Sequence, residues 1–538
     1  MIRHSKTSES WKKLPWKKFR KNLFRLQRRV YKAVRAGDIR KARSLQKLIL
    51  RSTSAKLLAI RQVTQLNMGK KTAGIDGKKA LTFKERFELL IMLNQSPDWK
   101  HQGLREIPIP KKNGKTRILK VPTISDRAWQ CLAKYTLEPA HEAKFHPNSY
   151  GFRTGRSAHD AQKWLFLQLN SSVNGINKRI LEVDIQKCFD TISHKTIMER
   201  LIAPKTLKQG IFRCLKAGIN PEFPSQGTPQ GGVCSPLLAN IALNGIEDVL
   251  PIWGSQTTKT YQYGKRKQKY KHRAIQAARY ADDMVFILHD LGNPVSNKLQ
   301  EKSLINAIKR FLKERGMELS QEKTKLTKST DGFDFLGWHF QVQKNGKFRS
   351  TPSKENYLSF KKKIKTIINS SNMGAIKKAD KLAPIIRGWR NYHKNCKMDG
   401  PRNSLWYTRH RAFKVFNKET KQNRYTCEQL VNKAFPPVPY SENRHINVKE
   451  DKSPYDGDFI YWSRRSSKLY DGTTSKTLKK QNHECGHCGL KFMPGEEIHL
   501  HHKDGNHNNW RHNNLVAIHR SCHQYVHMKH SDTSTLSG

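Results

Sequence analysis

Apolar residues recur at helical spacing near the start of the chain: Leu23, Leu26, Val30, Ala33 and Val34, then Ile39, Ala42, Leu45 and Ile49 beyond Gly37-Asp38. That spacing predicts a helical hairpin broken at the glycine. GKKTAGIDG (69–77) predicts a loop. The period then changes. RILEVDI (179–185) alternates, with Leu181, Val183 and Ile185 on one face and Glu182 and Asp184 on the other, as a strand does. QAARYADDMVFIL (276–288) predicts two short strands around a turn at Ala281–Asp283. Ser235-Pro236, ahead of LLANIAL, offers a cap and a first-turn proline to a helix. Residues 353–430 lose the strand pattern and become helical and basic. PPVPY (436–440) is a linker signal, and 441–480 is polar and aromatic without clear period. From 481 onward histidine dominates: 11 of the 23 lie between His483 and His530.

Charge narrows the function. The 538 residues suggest three to four domains, at roughly 150 residues each. They carry 102 Lys+Arg against 43 Asp+Glu, a net charge of +59. Such a body repels itself unless a polyanion is near, which points to nucleic acid. No stretch approaches the roughly 20 apolar residues of a membrane span. The basic N-terminus lacks the apolar core of a secretory signal, although its composition is compatible with an organellar transit peptide. Six cysteines are scattered. Cys485, Cys488 and Cys522 cluster at metal-ligand spacing, which fits a reducing compartment and no disulfide framework.

Tyr280-Ala281-Asp282-Asp283 puts adjacent carboxylates on a tight turn, and Asp184 ends another strand on its polar side. Carboxylates brought together need cations between them, and Mg²⁺ binds through one or two carboxylates plus substrate phosphates. Two such ions can activate a 3′-hydroxyl and stabilise leaving pyrophosphate. The blocks IPKKNGKTR, VPTISDR, SYGFRTGRSAHDA, VDIQKCFDTI, GTPQGGVCSPLLAN, YADD, LSQEKTK and FLGWHF follow in order along the chain. In them the sequence closely resembles a group II intron reverse transcriptase.

The resemblance implies a multidomain α/β protein, a right-hand polymerase with fingers and palm at 78–345. A basic helical extension (1–77) would precede it. A helical thumb or X domain (346–435), a DNA-binding D region (436–480) and a C-terminal domain (481–538) would follow. It implies that Asp184, Asp282 and Asp283 are the catalytic aspartates holding two Mg²⁺. Phe189 would exclude a 2′-hydroxyl. Lys111 and Arg117 would hold the triphosphate, with Gln230 lining the nucleotide pocket and Lys323 near the pyrophosphate. IIRGWRNYHK (385–394) resembles the X-domain signature, so Arg387 and Arg390 are candidate RNA contacts. KRKQKYKHR (265–273), with Lys265, Arg266, Lys267 and Lys269, is expected to form a loop gripping nucleic-acid backbone. Arg464 and Arg465 are candidate DNA contacts.

Cys485-x2-Cys488 and His519-x2-Cys522 supply the ligand types and gaps of a closed tetrahedral Zn²⁺ site. The intervening EIHLHHKDGNHNNWRHNNLVAIH resembles the HNH nucleases, a ββα-metal fold. That resemblance implies His502 as general base, Asn514 as its orienting partner, and His501, His523 and His527 as ligands of one divalent ion. Intron-encoded members usually carry Asp where this chain has His501, and the neutral ligand shifts preference toward softer metals. The implied partners are group II intron RNA, target DNA at the exon junction and deoxynucleoside triphosphates, with no membrane. The implied activities are RNA-directed DNA polymerisation, splicing assistance and nicking of DNA for retrohoming. The implied location is a bacterial nucleoid-associated ribonucleoprotein in the cytoplasm, or an organellar matrix. The alternative is a splicing maturase with an active polymerase and a silent nuclease.

Overall fold

The computed structural model describes residues 11–531, except 96–98, 111–113, 115, 218–224, 251–255, 264–265, 274, 399–404, 439–440, 450–451, 471, 493–495 and 508. For 68, 256–263, 266–273, 466–469, 525 and 528–531 it describes the backbone only. The N-terminal periodicity becomes α1 (Trp16–Arg35) and α2 (Ile39–Arg51), with Asp38 accepting from the Lys41 amide as the cap of α2. A third helix, α3 (Thr53–Arg61), follows on its Ser52 cap. It is buried nearly all round, so no polar stripe marks it in the sequence. These helices pack around α5 (Ile124–Glu142), and α4 (Phe83–Asn94) packs on α3 in the same core. Gln27 and Gln46 donate to the Tyr135 and Thr136 carbonyls of α5.

The fingers contribute the hairpin β1 (Arg105–Pro110) and β2 (Thr116–Val121). The palm is a four-stranded antiparallel sheet in the order β10–β3–β8–β7, formed by Lys325–Lys328, Arg179–Val183, Asp283–Leu288 and Ile275–Tyr280. β3 is buried on both faces. Leu181 and Val183 join the core under the N-terminal helices, and Ile180 joins a second core with Trp164, Leu165 and Phe340. The predicted strand breaks at Asp184. Its continuation, β4 (Ile185–Gln186), pairs with β9 (Glu318–Leu319). The helix after the glycine loop, Ser235–Leu243, starts one residue earlier than the Ser-Pro signal suggests. Cys234 occupies the cap position, its carbonyl accepting from the Leu237 and Leu238 amides.

One expectation is overturned. Residues 266–273 are not a loop but strand β6, paired along its length with β5 (Gln256–Tyr263) across a two-residue connection. The Thr- and Tyr-rich run QTTKTYQY has the β propensity that supplies its partner. Lys265 and the side chains of Arg266, Lys267 and Lys269 lie outside the described residues.

A three-stranded sheet, β11 (Phe333–Phe335), β12 (Trp338–Val342) and β13 (Phe348–Pro352), leads into the helical region expected to be the thumb. The thumb has its own core, built by the helices Lys354–Ile368, Ala375–His393, Trp406–Glu419 and Arg424–Ala434 around Phe360, Leu382 and Phe416. Beyond the linker signal, the aperiodic stretch contains two helices, Phe459–Leu469 and Gly472–Lys480. The chain then forms β14 (Ile498–His502), an antiparallel β15 (Leu515–His519) and a helix over Arg520–Ser531. Among the described residues no helix is long and apolar enough to cross a membrane.

Candidate functional site

The palm register assembles the carboxylates. Val183 pairs with Met284, so Asp184, the next residue, comes level with Asp283. Tyr280 pairs with Asp283 across the two-residue turn Ala281-Asp282. Ala281 sits at φ +60, strained for a residue with a Cβ. The turn is held from below: a Cβ on Gly151 would lie 2.3 Å from the Ala281 nitrogen, so only glycine allows the SYGFR segment to lie beneath it.

The deepest support is Arg279, which sequence reading passed over. It is completely buried, with Nε donating to Glu247 (2.7 Å) and the other nitrogens to Asn240 (2.8 Å), Ser149 (2.8 Å) and the Ala281 carbonyl (3.1 Å). The available signal was an arginine next to Ala277-Ala278 in the mostly buried strand ahead of the turn.

Burial pushes Asp282 up, and the charge of Asp184 adds to it. Burial in the palm floor, with the charges of Asp282 and Asp184, pushes Asp283 up to about 6. These shifts are those of carboxylates crowded together, which a cation would relieve. Lys323 supplies one such charge, its Nζ 2.5 Å from Asp184 Oδ2, and that hydrogen bond raises the lysine. Phe189 is nearly buried, and its carbonyl accepts from the Thr228 amide (2.7 Å), tying it to the glycine-rich loop. Gln230 bridges that loop to the fingers. Its carbonyl accepts from the Lys120 amide (2.8 Å), and its Oε1 from Arg117 Nε (2.5 Å). Lys111 lies outside the described residues.

The predicted surface cations divide. Arg387 and Arg464 are exposed. Arg390 donates to the Pro436 carbonyl (2.7 Å), closing the end of the helix before it. Arg465 is no surface contact, contrary to expectation. It is buried, donating to Asp160 Oδ1 (2.7 Å) and binding the stretch after the thumb to the helix Ala158–Leu169. In the same signature, Trp389 stacks on Phe360 at 4.2 Å and Tyr392 on Trp338 at 4.5 Å, so both rings serve packing.

In the tail, the ligand atoms of Cys485, Cys488, His519 and Cys522 lie within 4.8 Å of one another, and so do those of His501, His523 and His527. Hydrogen bonds from Cys488 and Cys522 hold Cys485 below the ordinary thiol range and push Cys522 above it, so the crowded thiols share protons that a cation would displace. His519 Nε2 lies 3.2 Å from Glu496, which also pairs with Arg20 of α1. Burial, and then the neighbouring histidines, lower His523 to about 4, keeping it neutral and able to ligate. His499, absent from the expected set, stands 5.0 Å from the His523 ring. His502 is buried, and neither of its ring nitrogens has a hydrogen-bond partner among the described residues. Asn514 does not orient it. Its amide instead holds the 504–509 loop through Asp504 (2.9 Å) and the Asn509 carbonyl (2.9 Å).

Comparison with known proteins agrees with this geometry. The family model for reverse transcriptase (RNA-dependent DNA polymerase) matches residues 109–340. The N-terminal domain of reverse transcriptase matches 11–93, and the group II intron maturase-specific domain matches 357–431. Maturase-like protein 1 of Euglena gracilis is 39% identical over 424 residues, covering 78% of this chain and 85% of that protein. Its counterpart in Euglena longa is 35% identical over 425 residues, covering 78% and 86%. Group II intron-encoded protein LtrA of Lactococcus lactis subsp. cremoris is 28% identical over 382 residues, covering 60% and 62%. By these matches the chain belongs to the group II intron reverse transcriptase and maturase family.

Proposed function

We propose that this protein copies its intron RNA into DNA from a 3′ end that its own C-terminal unit cuts, and that it also binds that RNA to assist splicing. The observation carrying the polymerase half is the register that brings Asp184 level with Asp283 beside Asp282. Two Mg²⁺ ions held there would supply the positive charge that the attacking hydroxyl and departing pyrophosphate need. Arg117 offers a planar fork to the triphosphate once nucleotide entry displaces Gln230 from it. Phe189 stands against the 2′ position of the sugar and favours deoxynucleotides. Lys323, kept charged by Asp184, offers an N–H to the pyrophosphate. Arg387 and the basic faces of the N-terminal helices bind RNA phosphates.

In the C-terminal unit, Zn²⁺ on Cys485, Cys488, His519 and Cys522 would staple a domain with few large apolar residues. A divalent ion on His501, His523 and His527 would polarise the scissile phosphate, and three neutral imidazoles suit a transition metal better than Mg²⁺. His502, buried with both ring nitrogens unpartnered among the described residues, is the group that takes a proton from water. Arg464 offers a contact to target DNA near the exon junction. The same reaction serves a bacterial nucleoid or an organellar matrix.

One observation favours the second reading, a maturase and polymerase with a silent nuclease: Asn514 serves its loop and not His502. One reaction tests both readings. Purified protein and intron RNA are mixed with a strand-labelled duplex carrying the ligated-exon junction, deoxynucleotides, Mg²⁺ and, in parallel, Mn²⁺. Cleavage followed by extension establishes the first reading. Extension of an added primer without cleavage establishes the second, and neither product rejects both.

A further inference from the structure

The outer face of the thumb carries a feature that neither polymerisation nor nicking uses. The helix Trp406–Glu419 opens with two exposed rings, Trp406 (58% exposed) and Tyr407 (76%), set nearly perpendicular at 5.0 Å. Leu405 precedes them at φ +51 with its own side chain buried, so the backbone spends strain to turn the next residue outward. One turn on, the His410 ring lies parallel to Trp406, 5.4 Å away. Between this helix and Arg424–Ala434 is a cavity of roughly 290 Å³, open on one side, at the lower limit of the about 300–1,000 Å³ typical of ligand pockets. Trp406, His410 and Phe413 line one side, with Glu428, Val431 and Asn432 on the other. Arg409 also lines it and donates across it to Asn432, and Arg424, paired with Glu428, stands exposed beside it.

We infer that this pocket holds one unpaired guanine of an RNA strand. The inference rests on the reading that the helical domain engages RNA. Exposed flat rings among cations are the chemistry that stacks a splayed base while its phosphates are neutralised. The size admits one base and not a base pair. Guanine is selected because Glu428 is the carboxylate on the wall. Only guanine among the common bases presents two adjacent N–H donors to a pair of carboxylate oxygens. One oxygen also accepts from Arg424 Nε (3.1 Å), one turn earlier on the same helix and exposed. A protein partner would be met by apolar area, whereas this rim is cationic.

The test uses the full chain and two fluorescent RNA hairpins with uridine loops, identical except for a central loop guanosine or an abasic ribose. The guanosine hairpin should bind about tenfold more tightly, the value of one stacked base. Trp406→Ala should erase that difference without changing the slope of log affinity against log salt, because no phosphate contact is lost. Trp406→Phe should retain most of it, and Glu428→Gln should reduce preference for guanosine over adenosine in the same loop. Equal affinities for the two hairpins in the unaltered protein would overturn the inference. So would a Trp406→Ala variant that still discriminates, a shallower salt slope (a phosphate site), or a sedimentation change pointing to self-association. Extension of a supplied primer by Trp406→Ala should be normal, so failure of the pocket is distinguishable from failure of the polymerase.

Discussion

Arg279 and Glu247 meet at 2.7 Å with both side chains shut off from solvent, directly beneath the strained turn that carries Asp282. Burial works to raise the Glu247 carboxyl, but the Arg279 charge and hydrogen bond, together with His146, hold it below the ordinary range. Removing one partner leaves the other charge buried alone. Glu247→Gln should therefore cost about 3–5 kcal/mol of stability. Arg279→Lys should retain the charge but lose the fork that reaches Ala281 and Asn240 together. Its kcat for primer extension should fall well below the unaltered rate, with nucleotide KM little changed. A lysine variant extending at the normal rate would remove Arg279 as the positioning group of the turn.

The aspartate floor predicts a linkage between metal and pH. Asp283 opens onto the cleft, yet burial and the charges of Asp282 and Asp184 push it to about 6. A raised carboxyl favours the folded protein while it is protonated. In metal-free protein that contribution is present below about pH 4 and lost as pH rises through about 6. A divalent ion then replaces the lost protons, so Mg²⁺ should raise the melting temperature more at pH 7 than at pH 5. Asp282→Ala should abolish both this response and cDNA synthesis, with RNA affinity intact. Equal Mg²⁺ shifts at the two pH values would mean that the ions bind elsewhere.

Phe189→Ala should open the space beside the sugar and admit ribonucleotides. Single-turnover incorporation of a deoxynucleotide and its ribonucleotide by the two proteins measures this. Unchanged selectivity would leave Phe189 as a packing residue of the palm core.

Asp160 is a hinge pin between distant segments. It accepts from Arg465 (2.7 Å), His445 (3.1 Å) and the Val448 amide (3.1 Å), some 300 residues further along the chain. Burial alone would raise it, but the His445 hydrogen bond and the Arg465 charge hold it well below the carboxylate range. Its stabilisation is therefore present above about pH 4 and lost as pH falls. Protection factors across 445–465, corrected for the intrinsic exchange rate, should fall in acid, and Asp160→Asn should show that loss of protection at neutral pH. Protection unchanged in the variant would mean that other contacts carry this docking.

The four-ligand cluster predicts one tightly held zinc per chain, and Cys485→Ser should lose it. Chelation should loosen 481–531, with primer extension unaffected, because the polymerase core has no residue in that cluster. Since Glu496 faces both His519 and Arg20, metal loss should also reduce protection of α1. A Cys485→Ser protein with full zinc content would reject the site.

Much of this was legible in the chain because the signals are local. Two strands meeting at YADD, the break at Gly37-Asp38 and the ligand gaps of the tail are short-range patterns, and the backbone realises each of them. Residues 266–273 misled because a run of lysines and arginines resembles a solvated loop, while the strand that pairs with it lies just upstream. The helix Thr53–Arg61 gave no period because it is buried nearly all round.

Arg464 and Arg465 show where local reading ends. They are chemically identical neighbours, yet one is exposed and the other is locked onto Asp160, and nothing within the helix distinguishes them. The same is true of Arg279, of Asn514 and of the Trp406 pocket, each defined by partners on other elements. By itself the sequence determined the chemistry available: the carboxylate stations, the cysteine and histidine ligands, the cationic excess and the order of the blocks. Only the tertiary structure decided which of those groups share a site, which are consumed by the fold and which remain at the surface. Register and burial arise from packing between separate segments, up to some 300 residues apart for Asp160 and Arg465, and the pattern within one element does not encode them.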